Sequence, residues 1–596
     1  MSPPEPLWSK GIKADNLSKT MGRLFRYIGK YRYLIYAGVL ISMVSSAIVL
    51  IAPQYLNDVV NMISHHISTG EPMDIDGIAR LILILVGLYS LAAVLRAVSG
   101  YIIPSASEYN GNVMRKGLGE KITKLPLSII DRMSIGDVMS RFTNDAENIR
   151  WQSAECIAHT ISALIMIFGS LIMMFMMEWR LAVVSIIPTV IGFVLVFVIV
   201  RTSQPRFKKQ AKNMGRANGL VEETYYGLEV VNSYNGREDV RRRFEEINEE
   251  LFHDSFVTRF ISGSMPLITG FISNLSYVIV CIVGSMLVLE NVIGFGTIVA
   301  FIIYVKEFSE PLNRLSHTLA SIQNVGASAE RIFEFFDLPE MEDESSKERT
   351  EGVRKGRVVF KDVCFSYVPG KEIIHNLNLT VEPGQKIAIV GPTGAGKTTI
   401  ANLLMRFYEL DSGSITLDGV DLRDMTREDV HNSFCMILQD SWMFNGSIRD
   451  NITFGRDIPD DEILRACEAV GILDFIKALP DGLDTVLSEG ESISAGQRQQ
   501  VNMVRAMVRN TPLLILDEAT SAIDSATEKR VQRSMDEIMD SRTSFVIAHR
   551  LSTIEDADNI LVIRNGDIVE QGRHDELIRR NGFYRELYDS QFEDCE

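Results

Sequence analysis

The chain has 596 residues, a formal charge of −17 and 46% hydrophobic residues, and its mean hydropathy of +0.09 is high for a sequence that is also 23% charged. That length exceeds one compact core, so two large domains are expected, and the acidic balance excludes nucleic acid as a partner, because binding to phosphate backbones needs clustered Lys and Arg. Six scattered cysteines (Cys156, Cys281, Cys364, Cys435, Cys467, Cys595) have no CxxC spacing, which excludes a zinc or dithiol redox centre.

Residues 1–20 read as a cytoplasmic tail. Lys10, Lys13, Lys19, Arg23, Arg26 and Lys30 are followed by no small-residue cleavage site, so no cleaved signal peptide is expected. Residues 21–31 place Leu24, Phe25, Tyr27 and Ile28 among bases, which suits a helix in the headgroup region and an ordinary solvated helix equally. Apolar runs of roughly 18 to 25 residues, the length that crosses about 30 Å of hydrocarbon, follow near 34–56, 78–103, 157–177, 181–200 and 261–289, and a sixth starts at 292. The sixth soon meets Lys306, Glu307, Glu310 and Arg314. It reads as a buried soluble helix or as a helix that lines a watery cavity and continues into the cytosol; the even count it completes favours the second.

Loop charges set the orientation. Residues 57–77 contain no Lys or Arg and 178–180 contain one, whereas 115–150 and 201–259 are rich in both, as cytoplasmic segments are. A multi-pass protein of the cytoplasmic membrane is expected, with both termini cytoplasmic and two long cytoplasmic loops reversing near 126–133 and 220–232. This transmembrane domain covers 21–337. Residues 338–355 are charged and aperiodic, the composition of a solvated linker, and a soluble domain fills 356–596.

In that domain a strand-like run at 386–390 leads into Gly391, Pro392, Thr393, Gly394, Ala395, Gly396, Lys397, Thr398 and Thr399, a complete phosphate loop. The glycines let backbone N–H groups converge on phosphate oxygens, Lys397 reaches the β and γ phosphates, and the Thr398 hydroxyl can ligate Mg²⁺. The positive end of the helix that starts there adds to the same anion site. A second apolar strand, 513–516, ends in Asp517 and Glu518. There Asp517 can organise Mg²⁺ and Glu518 can polarise the attacking water.

Between these signals, Ile493-Ser494-Ala495-Gly496-Gln497 resembles the LSGGQ signature of the ATP-binding cassette family. Tyr367 matches the family's adenine-stacking aromatic, Gln439 its Q-loop (a further Mg²⁺ contact), Ser521 and Asp524 its D-loop, and His549 its switch histidine. The resemblance covers nearly the whole chain. It implies an exporter-type α-helical domain of six spans fused to an α/β phosphate-loop (RecA-like) nucleotide-binding domain with a helical subdomain. It also implies two cassettes closing head to tail, each ATP held between one chain's phosphate loop and the signature of the other, so the chain needs a second half-transporter.

Ala495 stands where the family has glycine, and its methyl group is expected to weaken the nucleotide site of the partner. With Glu518 and His549 intact, the pattern resembles the catalytic member of heterodimeric bacterial multidrug exporters, and a heterodimer is favoured over a homodimer. The function expected is ATP-driven export of a hydrophobic or amphipathic small molecule, of the multidrug type, across the cytoplasmic membrane by alternating access, with the lipid bilayer as the surrounding partner and ATP hydrolysis at the cassette dimer as the drive. A lipid or peptide exporter is the alternative within transport, and an ATP-gated channel or regulator the alternative outside it. Intramembrane Arg96 and Glu307 point to the cavity; the Met-rich run 173–177 reads as packing at least as readily.

Overall fold

The computed structural model describes residues 17–70, 72–347, 355–438, 442–487, 493–517, 533, 535–540, 542–548 and 554–593. The chain forms two compact units: one within Met1–Thr123 and Met133–Leu338, the other Lys124–Arg132 with Pro339–Glu596.

The first unit is entirely helical. α1 (Leu17–Tyr27), α2 (Arg32–Thr69) and α3 (Ile75–Lys124) come first. The short α4 (Leu127–Ile130), which belongs to the other unit, occupies the first expected reversal. α5 (Ile135–Ser140), a π-helical stretch at Arg141–Asp145 and α6 (Ala146–Met177) then form one rod. α7 (Trp179–Tyr226), α8 (Leu228–Ser233) at the second expected reversal, α9 (Arg237–Leu289) and α10 (Phe295–Phe336) complete the unit. α3 has 50 residues and α9 has 53; at 1.5 Å per residue each is over twice as long as a hydrocarbon core is thick. Prolines at 53, 104, 188, 205, 266 and 311 lie inside these helices, as membrane helices tolerate where neighbouring groups satisfy the freed backbone.

Among the described residues five rods are long and apolar enough to cross a membrane, spanning Gly29–Thr69, Ile75–Lys124, Ile135–Met177, Trp179–Tyr226 and Arg237–Leu289. The sixth expected span, α10, does not reach that mark, for a physical reason visible in the packing. Its apolar residues face protein: Ala300, Phe301 and Tyr304 are fully buried, in a cluster with Leu50, Met174 and Leu181. The Tyr304 hydroxyl donates to Leu50 O at 2.8 Å. A helix enclosed by other helices needs no continuous apolar coat.

α1 docks on the end of α10, where Arg23 donates twice to Asp337 at 2.6 Å and Tyr27 stacks on Phe336 at 5.2 Å.

The second unit has two sheets. β1 (Val358–Phe365), β2 (Ile374–Val381), β4 (Ser412–Leu417) and β5 (Val420–Asp421) form an antiparallel sheet in the order β2-β1-β4-β5. The other sheet contains β3 (Lys386–Val390), β6 (Phe434–Ile437), β9 (Leu513–Asp517), β10 (Thr543–Ile547), β11 (Asn559–Arg564) and β12 (Asp567–Gly572), in the order β12-β11-β3-β10-β9-β6, and is parallel except for β12. β3, β9 and β10 are buried almost throughout, as strands covered on both faces must be. α11 (Lys397–Leu404) and α12 (Arg427–Ser433) follow β3 and precede β6, and the ribbon of β7 (Gly446–Ser447) and β8 (Val486–Leu487) brackets α13 (Ile448–Thr453), α14 (Asp460–Val470) and α15 (Leu473–Ala478). α16 (Ala495–Arg509) packs on α13 and α14.

Lys124–Arg132 belongs with the second unit. Met341 N donates to Lys124 O at 2.9 Å, Arg132 Nη2 donates to Tyr367 O at 3.3 Å, and the Tyr408 hydroxyl donates to the Asp131 carboxylate. Within residues 338–355, Glu344 is anchored by its own contacts. Glu344, 14% exposed, accepts from the backbone N–H of Arg427 at 2.7 Å and pairs with the guanidiniums of Arg406 and Arg427 at 3.0 and 2.9 Å.

Candidate functional site

Parallel strands present their carboxyl ends to one side of a sheet, and ligands bind beyond those ends. β3 leads there directly into the phosphate loop. Gly394 and Gly396 have φ of +83° and +105°, left-handed conformations that side chains disfavour. Space adds to conformation at Gly396, where a Cβ would stand 2.9 Å from Ile374 Cδ1, and at Gly391, where it would collide with Ile563 O. The loop is thereby pressed against both sheets while its outer face, Pro392, Thr393 and Gly394, stays exposed, and Ala395 is buried beneath.

Gly396 is the N-cap of α11, so the helix begins at Lys397 and its unpaired N–H groups face the loop. Lys397 is buried, and its Nζ donates to Gly391 O at 2.7 Å and to Pro392 O at 3.2 Å. An ammonium within the curl of the loop, an exposed Thr398 hydroxyl and a helix end together suit a polyphosphate. Thr399 instead points inward, and accepts from the Tyr367 hydroxyl at 3.3 Å.

Asp517 closes β9 and is buried. It is level with Ile547 on β10, which is level in turn with Ile389 on β3, two residues before Gly391. The register thus brings an acid and the phosphate loop to the same end of the sheet, on strands separated by β10, where a divalent cation between phosphate and carboxylate fits. Gln439, Glu518, Ser521, Asp524 and His549 lie outside the described residues.

Tyr367 is half-buried, with its ring perpendicular to those of Phe365 at 4.8 Å and Tyr408 at 4.9 Å, and its hydroxyl accepts from Asn402 Nδ2 at 3.2 Å. Tyr408 was not singled out from the sequence. It joins Tyr367 to Asp131, and burial together with that carboxylate pushes its phenol above the ordinary tyrosine range. No local signal marks it, because Asp131 lies 277 residues away.

The signature residues start α16. Ser494 is the N-cap; its hydroxyl accepts from Gln497 N at 3.2 Å, and Gln497 Oε1 accepts from Ser494 N at 2.8 Å, a reciprocal capping box. Ala495 is exposed at the first helical position, followed by Gly496.

Residues 35–312 match the ABC transporter transmembrane region family, and residues 374–521 match the ABC transporter family that contains the cassette. A protein of Mycobacterium bovis called "Fatty acid ABC transporter ATP-binding/permease protein" is 39% identical over 520 residues, 87% of this chain and 82% of that protein. This chain belongs to the ABC transporter family. An uncharacterized ABC transporter ATP-binding protein of Bacillus subtilis is 36% identical over 98% of this chain and 96% of its own length. An "ATP-dependent lipid A-core flippase" of Vibrio vulnificus is 33% identical over 96% of this chain and 98% of its own.

As an ABC exporter half-transporter, the chain fuses a membrane region to an ATP-binding cassette and couples ATP hydrolysis to transport. The cassette carries its phosphate loop and its signature on different elements of the second unit, β3–α11 and α16.

Proposed function

We propose that this half-transporter exports an amphipathic substrate bearing long acyl chains, working as a pair with a second half. The observation that carries the substrate class is the naming of its relatives, one as a fatty acid transporter and others as lipid A-core flippases, at 33–39% identity over most of the chain. A drug-like hydrophobic cation or neutral molecule is the other outcome the experiment below can return.

In this reading α10 is a sixth span that lines the cavity, the protein sits in the cytoplasmic membrane, and both termini are cytoplasmic. Residues 356–596 form the cassette. Tyr367 stacks on adenine, residues 391–399 wrap the phosphates, and Lys397 leaves its loop carbonyls for phosphate oxygens. Thr398, Gln439 and Asp517 hold Mg²⁺, which neutralises phosphate charge when bound. Glu518 accepts the proton of the attacking water and His549 orients the leaving phosphate. Ser494, Ala495, Gly496 and Gln497 face the nucleotide of the other half, with Ser521 and Asp524 across the same dimer seam. A heterodimer is preferred because Ala495 impairs only the site that belongs to the partner.

The test is reconstitution into proteoliposomes with labelled phospholipid, labelled fatty acid and a fluorescent drug in parallel. ATP-dependent movement of an acyl-chain substrate, lost in Glu518→Gln, is the result expected. Transport of the drug with no movement of either lipid would return the multidrug alternative, and nucleotide-gated ion flux without pumping would return the channel.

A further inference from the structure

The second unit contains a concentration of positive charge that nucleotide binding leaves unused. Arg505 and Arg509 stand four residues apart on α16, hence on one face, and with Arg456 they line a cavity of about 340 Å³ whose other walls include Ile452, Phe454 and Val508. Arg542 acts with these three on the buried Cys435 thiol in the same wall.

Each guanidinium touches neutral groups only. Arg505 Nε donates to Asn451 O at 2.8 Å and its guanidinium lies over the Phe454 ring at 4.4 Å. Arg509 Nη2 donates to His431 O at 2.5 Å, while its Nε is buried with no acceptor. Arg456 reaches Asn432 Oδ1 at 3.4 Å, and Arg542 reaches Ala506 O and Asn510 Oδ1 at 3.4 and 3.2 Å. No carboxylate of the described residues pairs with any of the four.

Burial pushes Arg505 down to about 10 and lowers Arg509 and Arg542 as well. Arg505, Arg509 and Arg542 are half-buried and Arg456 is exposed at the cavity rim, so the fold holds like charges together with reduced access to water, which costs free energy unless something compensates. The negative end of α16 offsets about half a charge, too little for four cations. What the cluster lacks is an anion, and planar guanidinium forks suit the paired oxygens of an oxyanion.

We propose that the cavity between the end of α13 and the C-terminal half of α16 binds an oxyanion of the phosphate class, held by Arg456, Arg505 and Arg509. A dianion answers several cations better than a single carboxylate does. The space exceeds that of inorganic phosphate, so a phosphate monoester fits the same chemistry. Because α16 begins at the signature, an anion at its far end braces the helix that presents Ser494 and Gly496.

The test uses the full chain in lipid nanodiscs, with the phosphate loop first filled by a non-hydrolysable ATP analogue. Thermal unfolding is followed against inorganic phosphate, against AMP as the monoester, and against chloride at matched ionic strength. A saturable stabilisation by phosphate, AMP or both, beyond that of chloride, is expected; the two arms tell the free ion from the ester. It should persist in Lys397→Ala and weaken roughly tenfold or more in Arg509→Gln, with partial recovery in Arg509→Lys. If Arg509→Gln shows no cooperative unfolding, Arg456→Gln replaces it with the same expectation. Stabilisation no greater than that of chloride, equal in the arginine variants, or abolished by Lys397→Ala, would overturn the site.

Discussion

Lys397 illustrates how one residue serves two ends. Its ammonium holds the loop by donating to Gly391 O and Pro392 O, and in the proposed mode of ATP binding it would exchange those carbonyls for charged oxygens, which are the stronger acceptors. Since a hydrogen bond to a charged group is worth about 1.5–3 kcal/mol, Lys397→Ala should weaken ATP binding by roughly ten- to a hundredfold. Isothermal titration with a non-hydrolysable analogue reads this directly, and unchanged affinity would contradict the site. Glu518→Gln should behave differently. The amide keeps the shape and loses the base, so binding persists while hydrolysis falls on the order of a hundredfold or more. Steady-state phosphate release from reconstituted protein checks it, and wild-type turnover would remove Glu518 from its role.

At the scale of elements, the stretch after the helical unit behaves as part of the cassette. Arg406 is 4% exposed and depends on Glu344 and Glu409 for its counter-charge. Burial raises the Glu344 carboxyl, and the Arg427 N–H with the Arg427 and Arg406 charges outweighs it, so the group ends below the usual range. A carboxyl with a depressed folded value stabilises the fold above its unfolded pKa, about 4.3, and that contribution disappears as pH falls through the lower folded value. Glu344→Ala should therefore cost about 3 kcal/mol near neutrality and much less in acid, as denaturant unfolding of the cassette at two pH values would show. An equal penalty at both would mean that charge is not the cause.

Such contacts mark the limit of what the sequence disclosed. The phosphate loop and Asp517 were legible because their chemistry needs fixed residue types at contiguous positions of a strand, loop or helix. The docking of α1 was not, because Arg23 meets an acid 314 residues away, and neither was that of Glu344, whose composition mimics a solvated tether. α10 was only half legible: apolar runs report exposure to lipid, and this helix is wrapped by protein. Gln439, Ser521, Asp524 and His549 rest on family resemblance alone, and Glu518 on its place at the end of an apolar strand.

For the whole molecule the open variable is what pairs with this chain, and Ala495 offers the handle. At the first position of α16 an alanine suits the helix better than the glycine of the signature does, and the capping box of Ser494 and Gln497 is intact. The residue therefore does not spoil its own helix; in the proposed dimer any deficit would come from its methyl group facing the nucleotide of the other half. Ala495→Gly should accordingly leave the site built on Lys397 and Glu518 almost unaltered and change how the partner's ATP is held. In a heterodimer whose other half lacks the catalytic glutamate, turnover should move little, because the improved site still cannot activate its water. In a homodimer the same change improves both sites at once, and turnover should rise clearly. ATPase rates of wild type and Ala495→Gly, measured with the chain alone and then with a candidate partner half, separate the two. Strong activity of the chain alone, raised further by Ala495→Gly, would overturn the heterodimer.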